Sequence, residues 1–259
     1  MIKDGSEDML YKERTDVILQ QLQLKGSIKV ADLVRILGVS PDTVRRDLKS
    51  LEENGQLKYM HGGACLPDTS LAFSSFSGRE IINIDEKRVV AIKAMEYIVP
   101  GSVIVLNSGT TNVIVAQEII KRFSDLTVIT NNISAAMVLM QNKGIRTIVL
   151  GGTLNAFEHS TYGSVCEREM EKYHPDLCFL SINSIDYMAG YTDFRYEEMG
   201  IMQIMAEKSK LVVAVMDHSK LGRKSNKEAL EKASIDILLM DRASEDEKKL
   251  YKQYGIKIE

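Results

Sequence analysis

Apolar positions follow two rhythms along this chain, and the change of rhythm divides it. Over 13–24, Val17, Ile18, Leu19, Leu22 and Leu24 recur near helical spacing, and Gly26 supplies a stop. A second, short helix is predicted over 30–37, with Leu33, Val34 and Leu37 on one face. Gly38-Val39-Ser40 then reads as a tight turn. Ser40 is a natural N-cap, Pro41 suits the first helical position, and Asp42 suits the positive end of the helix dipole. A third helix follows and stops at Asn54-Gly55. The stretch 57–60 is strand-like and ends at Gly62-Gly63, which reads as a hairpin turn.

From 66 to 84 the composition shifts to Pro, Ser, Thr, Asp and Gly, and a linker is expected. Beyond Asp85 continuous apolar runs at 103–106, 126–129, 147–150, 177–181, 211–216 and 235–240 read as buried strands. Helical stretches at 112–121, 133–140 and 196–209 lie between them. That alternation predicts an α/β domain with a largely parallel sheet. The expected organisation is therefore a small, mostly helical winged helix-turn-helix over 1–65, a linker over 66–84 and an α/β domain over 85–259.

Composition narrows this picture only a little. The chain has 259 residues, 44% hydrophobic and 27% charged, with a formal net charge of −3. A nucleic-acid binder with this balance has to concentrate its positive charge locally. Positions 25–58 hold seven basic and five acidic residues, a modest local net of +2. Cys65, Cys166 and Cys178 form no CxxC pair and are odd in number, which disfavours a disulfide framework or zinc site and suits a reducing cytoplasm. No run approaches the length of a membrane span, and residues 1–11 lack an export-type apolar core. A cytoplasmic protein without cofactor or metal is expected.

In the third helix, Val44, Leu48 and Leu51 sit at i, i+4 and i+7 and face the first two helices. That orientation exposes Thr43, Arg45, Arg46 and Lys49. Arginine can take guanine O6 and N7 with two hydrogen bonds, or clamp a phosphate. Ser40 and Thr43 can anchor the helix start to a phosphate, and Lys58, Tyr59 and His61 would form a wing beside the duplex. Taken by itself, such a unit can equally be three packed helices with a solvated charged face.

In the second domain, Asn107-Ser108-Gly109-Thr110-Thr111 follows a strand and opens a helix. A glycine permits close approach, two threonine hydroxyls add donors, and the helix start favours an anion. Alone, this pattern is also an ordinary capped turn. Thr130-Asn131, Gly151-Gly152 and Asp217-His218-Ser219-Lys220 close other strands, however, and ligands of open α/β sheets bind beyond strand carboxyl ends. Asn107, Ser108, Gly109, Thr110, Thr111, Thr130, Asn131, Gly151, Gly152, Asp217 and Lys220 are the candidate ligand set, with Lys220 a compact charge for a phosphate. His159 and His174 lack metal spacing and read as surface or loop residues. His218 lies beside the crevice. Met199, Met202 and Met205 read as core or an oligomer face, and the charges at 245–249 as a solvated helix face.

Glu13-Arg14, Val30-Ala31-Asp32-Leu33, Gly38-Val39-Ser40, Thr43-Val44-Arg45-Arg46-Asp47-Leu48, Leu51-Glu52, Gly55 and His61-Gly62-Gly63-Ala64 resemble the signature of the DeoR family of bacterial repressors. The likeness runs from about 13 to 65. From about 86 to 222 the loops just named, with Gly163 and Gly190-Tyr191-Thr192, resemble that family's effector domain, which is similar to ribose-5-phosphate isomerase-type folds. Tyr59, Asn107 and Met202 depart from the family pattern, which usually has a basic, an acidic and a Lys residue there. The resemblance implies a regulator that binds double-stranded operator DNA, represses a carbohydrate-utilisation operon, is released by a phosphorylated sugar, and works as a dimer or tetramer. The alternatives are a sugar-phosphate isomerase with a DNA-binding appendage, with Asp217 or Glu198 as base, or an activator using the same DNA contacts.

Overall fold

The computed structural model describes residues 10–60, 62–65 and 76–259. It divides into two compact units, residues 1–84 and 85–259.

In the first unit, helices α1 (Tyr11–Lys25), α2 (Val30–Leu37) and α3 (Pro41–Glu53) combine with short strands β1 (Ser27–Lys29), β2 (Lys58–Met60) and β3 (Gly63–Cys65), and helix α4 (Phe76–Ile81) closes the series. The strands form an antiparallel sheet in the order β1-β3-β2. Gly26 and Gly38 end α1 and α2 in the left-handed conformation, at φ 72° and 66°, which glycine adopts without a Cβ clash. Ile18 and Leu22 from α1, Leu33 and Leu37 from α2, and Val44, Leu48 and Leu51 from α3 meet in one core. Leu24, expected on the apolar face of α1, is instead 72% exposed.

The segment 66–84, expected to be a linker, contains structure. Its described part carries α4, whose Phe76, Ile81 and following Ile82 are buried. The methyls of Ile81 reach Gly63, where a Cβ would lie 2.7 Å from Ile81 Cδ1 and 2.3 Å from the Ile28 carbonyl. Helix α4 of this polar segment therefore packs on the small sheet, and the first unit extends past Cys65.

The second unit runs α5 (Ile84–Ala94), β4 (Val103–Leu106), α6 (Thr110–Arg122), β5 (Leu126–Thr130), α7 (Ile133–Leu139), β6 (Ile145–Val149), β7 (Thr153–Asn155), β8 (Ser160–Tyr162), α8 (Ser164–Met170), β9 (Leu177–Ser181), β10 (Ser184–Asp186), β11 (Gly190–Asp193), α9 (Met199–Lys208), β12 (Leu211–Val215), β13 (Lys227–Leu230), β14 (Ile237–Leu239) and α10 (Glu245–Gln253). Six strands form a parallel sheet in the order β14-β12-β9-β4-β5-β6. Val105, Ile129, Cys178, Leu180 and Ala214 enter a core shared with Met170 of α8 and with Ile201 and Met205 of α9. The alternate residues Ile104, Leu106, Val128, Phe179 and Val213 are also fully buried, so both faces are covered. This is why the strands read as continuous apolar runs. Hairpin β7–β8 and the antiparallel sheet β10-β11-β13 were too short to signal themselves.

The chain lays down β4, β5 and β6 in one direction, then returns to place β9 on the other side of β4 and continues to β12 and β14. The direction reverses between β4 and β9. In open α/β sheets that reversal parts the loops at the strand carboxyl ends and leaves a crevice.

Candidate functional site

The first candidate surface is helix α3 of the N-terminal unit. The Ser40 hydroxyl accepts the Thr43 backbone N–H at 3.2 Å and lies 3.0 Å from the Thr43 hydroxyl, so the helix start is capped. Ser40 and Thr43 line a cleft of about 500 Å³ with Leu10, Tyr11, Arg14, Gly38 and Val39. Arg45, Arg46 and Lys49 are exposed on α3, as is Lys58 on β2. Arg45 pairs with Asp42 at 2.8 Å. Both are exposed, so solvent screens the pair and little holds Arg45 from another anion. His61, expected in the wing, lies outside the described residues.

Two features orient this surface that sequence reasoning missed. Asp47, within the Arg45-Arg46 run, points inward and receives Arg14 Nε at 2.7 Å and Nη2 at 3.2 Å, which ties α1 to α3. Glu52 accepts the Tyr59 backbone N–H at 2.8 Å, which ties β2 to α3. The Tyr59 side chain packs on the core, so it replaces the expected basic wing residue with an apolar contact.

The second candidate site lies at the carboxyl edge of the parallel sheet. Loop 107–109 leaves β4 and leads into α6, with Gly109 as N-cap and Thr110 and Thr111 in the first turn. Gly109 has φ 118°, and a Cβ there would stand 2.5 Å from Ser181 Oγ on β9. The glycine was expected to admit a ligand; the structure shows that it admits the neighbouring strand.

Asn107 was expected among the ligand contacts. Its Nδ2 donates to the Ser181 carbonyl at 3.1 Å, and its Oδ1 accepts Ser181 N–H at 2.7 Å and Asn112 Nδ2 at 2.8 Å. The amide is thus committed to stitching β4 to β9. A carboxylate in its place would lose the donor half of that stitch. The Thr130 hydroxyl donates to the Leu106 carbonyl at 2.7 Å and accepts Asn132 N–H at 3.0 Å. Asn131 Nδ2 donates to the Thr161 carbonyl at 2.8 Å, and Asn132 Nδ2 to the Gly109 carbonyl at 3.1 Å. The loops after β4 and β5 and strand β8 are therefore one hydrogen-bonded assembly.

Gly151 and Gly152 close β6 at the surface, and a Cβ on Gly152 would meet the Tyr162 carbonyl at 2.6 Å, so this glycine serves hairpin β7–β8. Asp217 and Lys220 follow β12, two strands from β4 along the same edge, and both are buried. Asp217 caps the short turn 218–220 by accepting Ser219 N–H at 3.1 Å. His218 is held by Asp241, with Nδ1 2.8 Å from its Oδ2. Met202, where the family pattern has Lys, is fully buried with Met199 and Ala229.

A charged cluster lies against the loop after β4 and the end of β9. Arg195, between β11 and α9, is buried; it donates to both carboxylate oxygens of Asp193, to the Ser181 carbonyl at 2.7 Å, and to the Ser108 carbonyl and hydroxyl at 3.0 and 2.6 Å. Glu198, 1% exposed, lies 3.7 Å from Arg195 and receives the hydroxyls of Ser108 and Ser160. Burial pushes the Glu198 carboxyl up from its ordinary value, and nearby Glu158 adds to this; Arg195 and the two serines act in the opposite sense. Burial would also raise Asp193, but the charge and hydrogen bonds of Arg195 hold it below the usual carboxylate range. Of the charged residues in this cluster only Glu198 was singled out from the sequence, as a base for the enzymatic alternative. The signal lay in Asp193-Phe194-Arg195-Tyr196-Glu197-Glu198, a charged run directly after a buried strand.

Chemically, the edge offers hydroxyls and a helix N-terminus suited to an anion, beside a buried cation and carboxylates. Among the described residues no group of three His, Cys, Asp or Glu side chains could hold a metal ion, and no helix is long and apolar enough to cross a membrane.

Known proteins resemble both units. Residues 14–70 match the DeoR-like helix-turn-helix domain, and residues 82–242 match the DeoR C terminal sensor domain. The HTH-type transcriptional regulator GolR of Listeria innocua is 35% identical over 93% of this chain and 94% of its own length. The HTH-type transcriptional repressor GlcR of Bacillus subtilis is 34% identical over 90% of each chain. The glycerol-3-phosphate regulon repressor of Escherichia coli K12 is 32% identical over 83% of this chain and 84% of its own. Among solved structures, ribose 5-phosphate isomerase A from Methanocaldococcus jannaschii aligns with a TM-score of 0.41 and 21% identity, over 54% of this chain and 55% of that one.

Proposed function

The chain belongs to the DeoR family of transcriptional regulators, and from that premise we propose that it represses a carbohydrate-utilisation operon and is released from its operator by a phosphorylated sugar. It is a DNA-binding regulator and not an enzyme. Arg45, Arg46 and Lys49 face the major groove, with base edges read by the arginines and phosphates held by Ser40, Thr43 and Lys58. The protein acts as a homo-oligomer, because helix-turn-helix heads read half-sites about one helical turn apart, roughly 34–36 Å. It works in the cytoplasm, where both its ligands are found.

The observation that carries the effector reading is the start of α6. It opens at the β4–β9 reversal, with Ser108 before it and two buried threonines in its first turn. The phosphate sits there, with Lys220 approaching along the same edge. A ligand releases DNA only by binding more tightly to the arrangement of heads that does not fit the operator. The test is fluorescence anisotropy with promoter DNA adjacent to the protein's own gene, against scrambled DNA, across a salt series. Specific binding that a sugar phosphate weakens is expected. Equal affinity for both DNAs would overturn the regulator's operator assignment, and specific binding unmoved by every three- to six-carbon sugar phosphate would overturn the effector.

A further inference from the structure

The two ends of the six-stranded sheet are finished differently. At one end β14 is covered by the last residues of the chain: Leu238 bridges Ile258, and Met240 N–H donates to the Glu259 carbonyl at 3.0 Å. At the other end β6 pairs only with β5 among the described residues. An open strand edge invites pairing with another chain, and natural proteins guard it with charge, proline or a bulge. β6 has one charge, Arg146, and no proline. Its neighbourhood is equally bare: positions 126–157 hold Lys143 and Arg146 and no acid, in a chain that is 27% charged. Apolar side chains stand exposed there instead. Met137 and Met140 lie one turn apart on α7, which packs beside β6; Val149 ends β6, Leu154 is on β7, and Phe157 is in the β7–β8 turn. Phe157 is 83% exposed, yet its turn is braced. Asn155 Oδ1 accepts the N–H groups of Phe157 at 3.0 Å and Glu158 at 3.2 Å. The His159 carbonyl accepts Ile133 N–H at 2.8 Å, and its ring nitrogen Nδ1 lies 3.0 Å from the Ser134 hydroxyl, one helical turn before Met137. His159 takes φ 51°, a left-handed conformation uncommon outside glycine. An aromatic ring held out into solvent by such a turn has the form of an interface anchor.

We propose that this end of the second unit, made of the β6 edge, the methionine side of α7 and the β7–β8 turn, is the surface on which two copies of the chain meet, with Phe157 as its anchor. This rests on the homo-oligomer proposed above and names the face that forms it. The five apolar side chains are 44–83% exposed, which leaves roughly 600 Å² uncovered on each copy, more than isolated surface residues account for. Two copies meeting there bury on the order of 1,200 Å² from these side chains alone, where a stable interface needs about 1,000 Å² or more. Depletion of charge together with exposed methionine and phenylalanine is the composition of an interface core. A second copy is the occupant that fits. Two cations are too few to select an acidic partner, and a two-fold axis lets one apolar face complement itself. Every residue of the face belongs to the second unit, so the DNA-reading side chains of α3 take no part in it.

The test is sedimentation velocity of the full-length protein over a concentration series, with wild type set against Phe157→Asp, Met137→Lys and, as a control outside the face, Met188→Lys. All three side chains are exposed, so the substitutions leave the cores untouched. The wild type is expected to associate. Phe157→Asp should raise the dissociation constant about thirty-fold or more, the scale of an anchor lost from an interface, and Met137→Lys roughly five-fold or more. Met188→Lys should match the wild type. Association of Phe157→Asp at wild-type strength overturns the inference and leaves the homo-oligomer standing on another face. Equal weakening by all three variants also overturns it, because added surface charge then acts wherever it is placed. A wild type that stays monomeric throughout overturns the homo-oligomer and this inference together, and leaves the face to a different protein. Hydrogen exchange of the wild type needs no variant: amides of 145–157 should exchange more slowly at associating concentrations than after dilution. Protection confined to other segments overturns the assignment.

Discussion

Replacing Asp193 by Asn removes one charge from a pair enclosed by protein. Asp193 accepts backbone N–H groups of Asn183 at 3.0 Å, Phe194 at 2.8 Å and Arg195 at 2.9 Å, and takes Arg195 Nε at 3.0 Å and Nη2 at 2.6 Å. Asn keeps the shape and most acceptors but leaves the guanidinium with two carbonyls, one hydroxyl and Glu198 at 3.7 Å. Breaking a buried pair from one side costs about 3–5 kcal/mol. Glu198 offsets part of the stranded charge, so the lower end, about 3 kcal/mol, is expected. That is a large share of the roughly 5–15 kcal/mol that stabilises a typical domain. Scanning calorimetry and urea unfolding read the loss, with both transitions followed because the chain has two compact units. The double variant Asp193→Asn/Arg195→Met, which removes both charges, should recover much of it. The pH arm has a definite sign. A carboxyl whose folded value is depressed contributes stability above its ordinary value of 3.8 and loses it as pH falls through the folded value. The gap between wild type and Asp193→Asn should therefore be full at pH 7 and close in acid. A loss below about 1 kcal/mol at pH 7, the range of exposed pairs, would refute the reasoning.

Other expectations follow from single contacts. Arg46→Ala should weaken operator binding by roughly 1–3 kcal/mol if the arginine takes a base, with relaxed preference at one base pair; a uniform loss across sequences, seen by anisotropy, would assign it to a phosphate. Ser40→Ala removes the cap of α3 and should lower stability by about 1 kcal/mol, read from the melt of the N-terminal unit. Gly109→Ala combines φ 118° with a Cβ 2.5 Å from Ser181 Oγ, so it should lower the melting temperature of the C-terminal unit; an unchanged melt would mean that β4 and β9 separate there easily. Lys220→Ala should leave operator affinity unchanged and raise the sugar-phosphate concentration needed for release, and a normal release curve would remove Lys220 from the site.

What could be read in advance was local. Ser40, Pro41 and Gly38 announce the start of α3 because capping and turn chemistry act over a few residues. Continuous apolar runs announced the parallel strands because both faces of the sheet are buried. The cluster at Arg195 was illegible because its meaning lies in contacts to Ser108, 87 residues away, and no periodicity spans that distance. Asn107 was read as a ligand contact because its loop was visible and its partner Ser181, 74 residues on, was not. The helix at 76–81 was hidden by a polar composition whose few apolar residues all turn inward.

The reversal between β4 and β9 also sets an order in time. Leu106 ends β4, yet its neighbour in the sheet begins only at Leu177. At about 5–20 residues per second, a ribosome takes on the order of 4–14 s to supply the missing edge. Until then β4 holds its place with β5 and β6 alone, and the start of α6 faces no β9. The helices of α1–α3, with their own core, have by then long since been made. A nascent chain is thus able to complete its DNA-reading head before the parallel sheet exists, and that sheet is complete only once strands from both halves of the second unit are present.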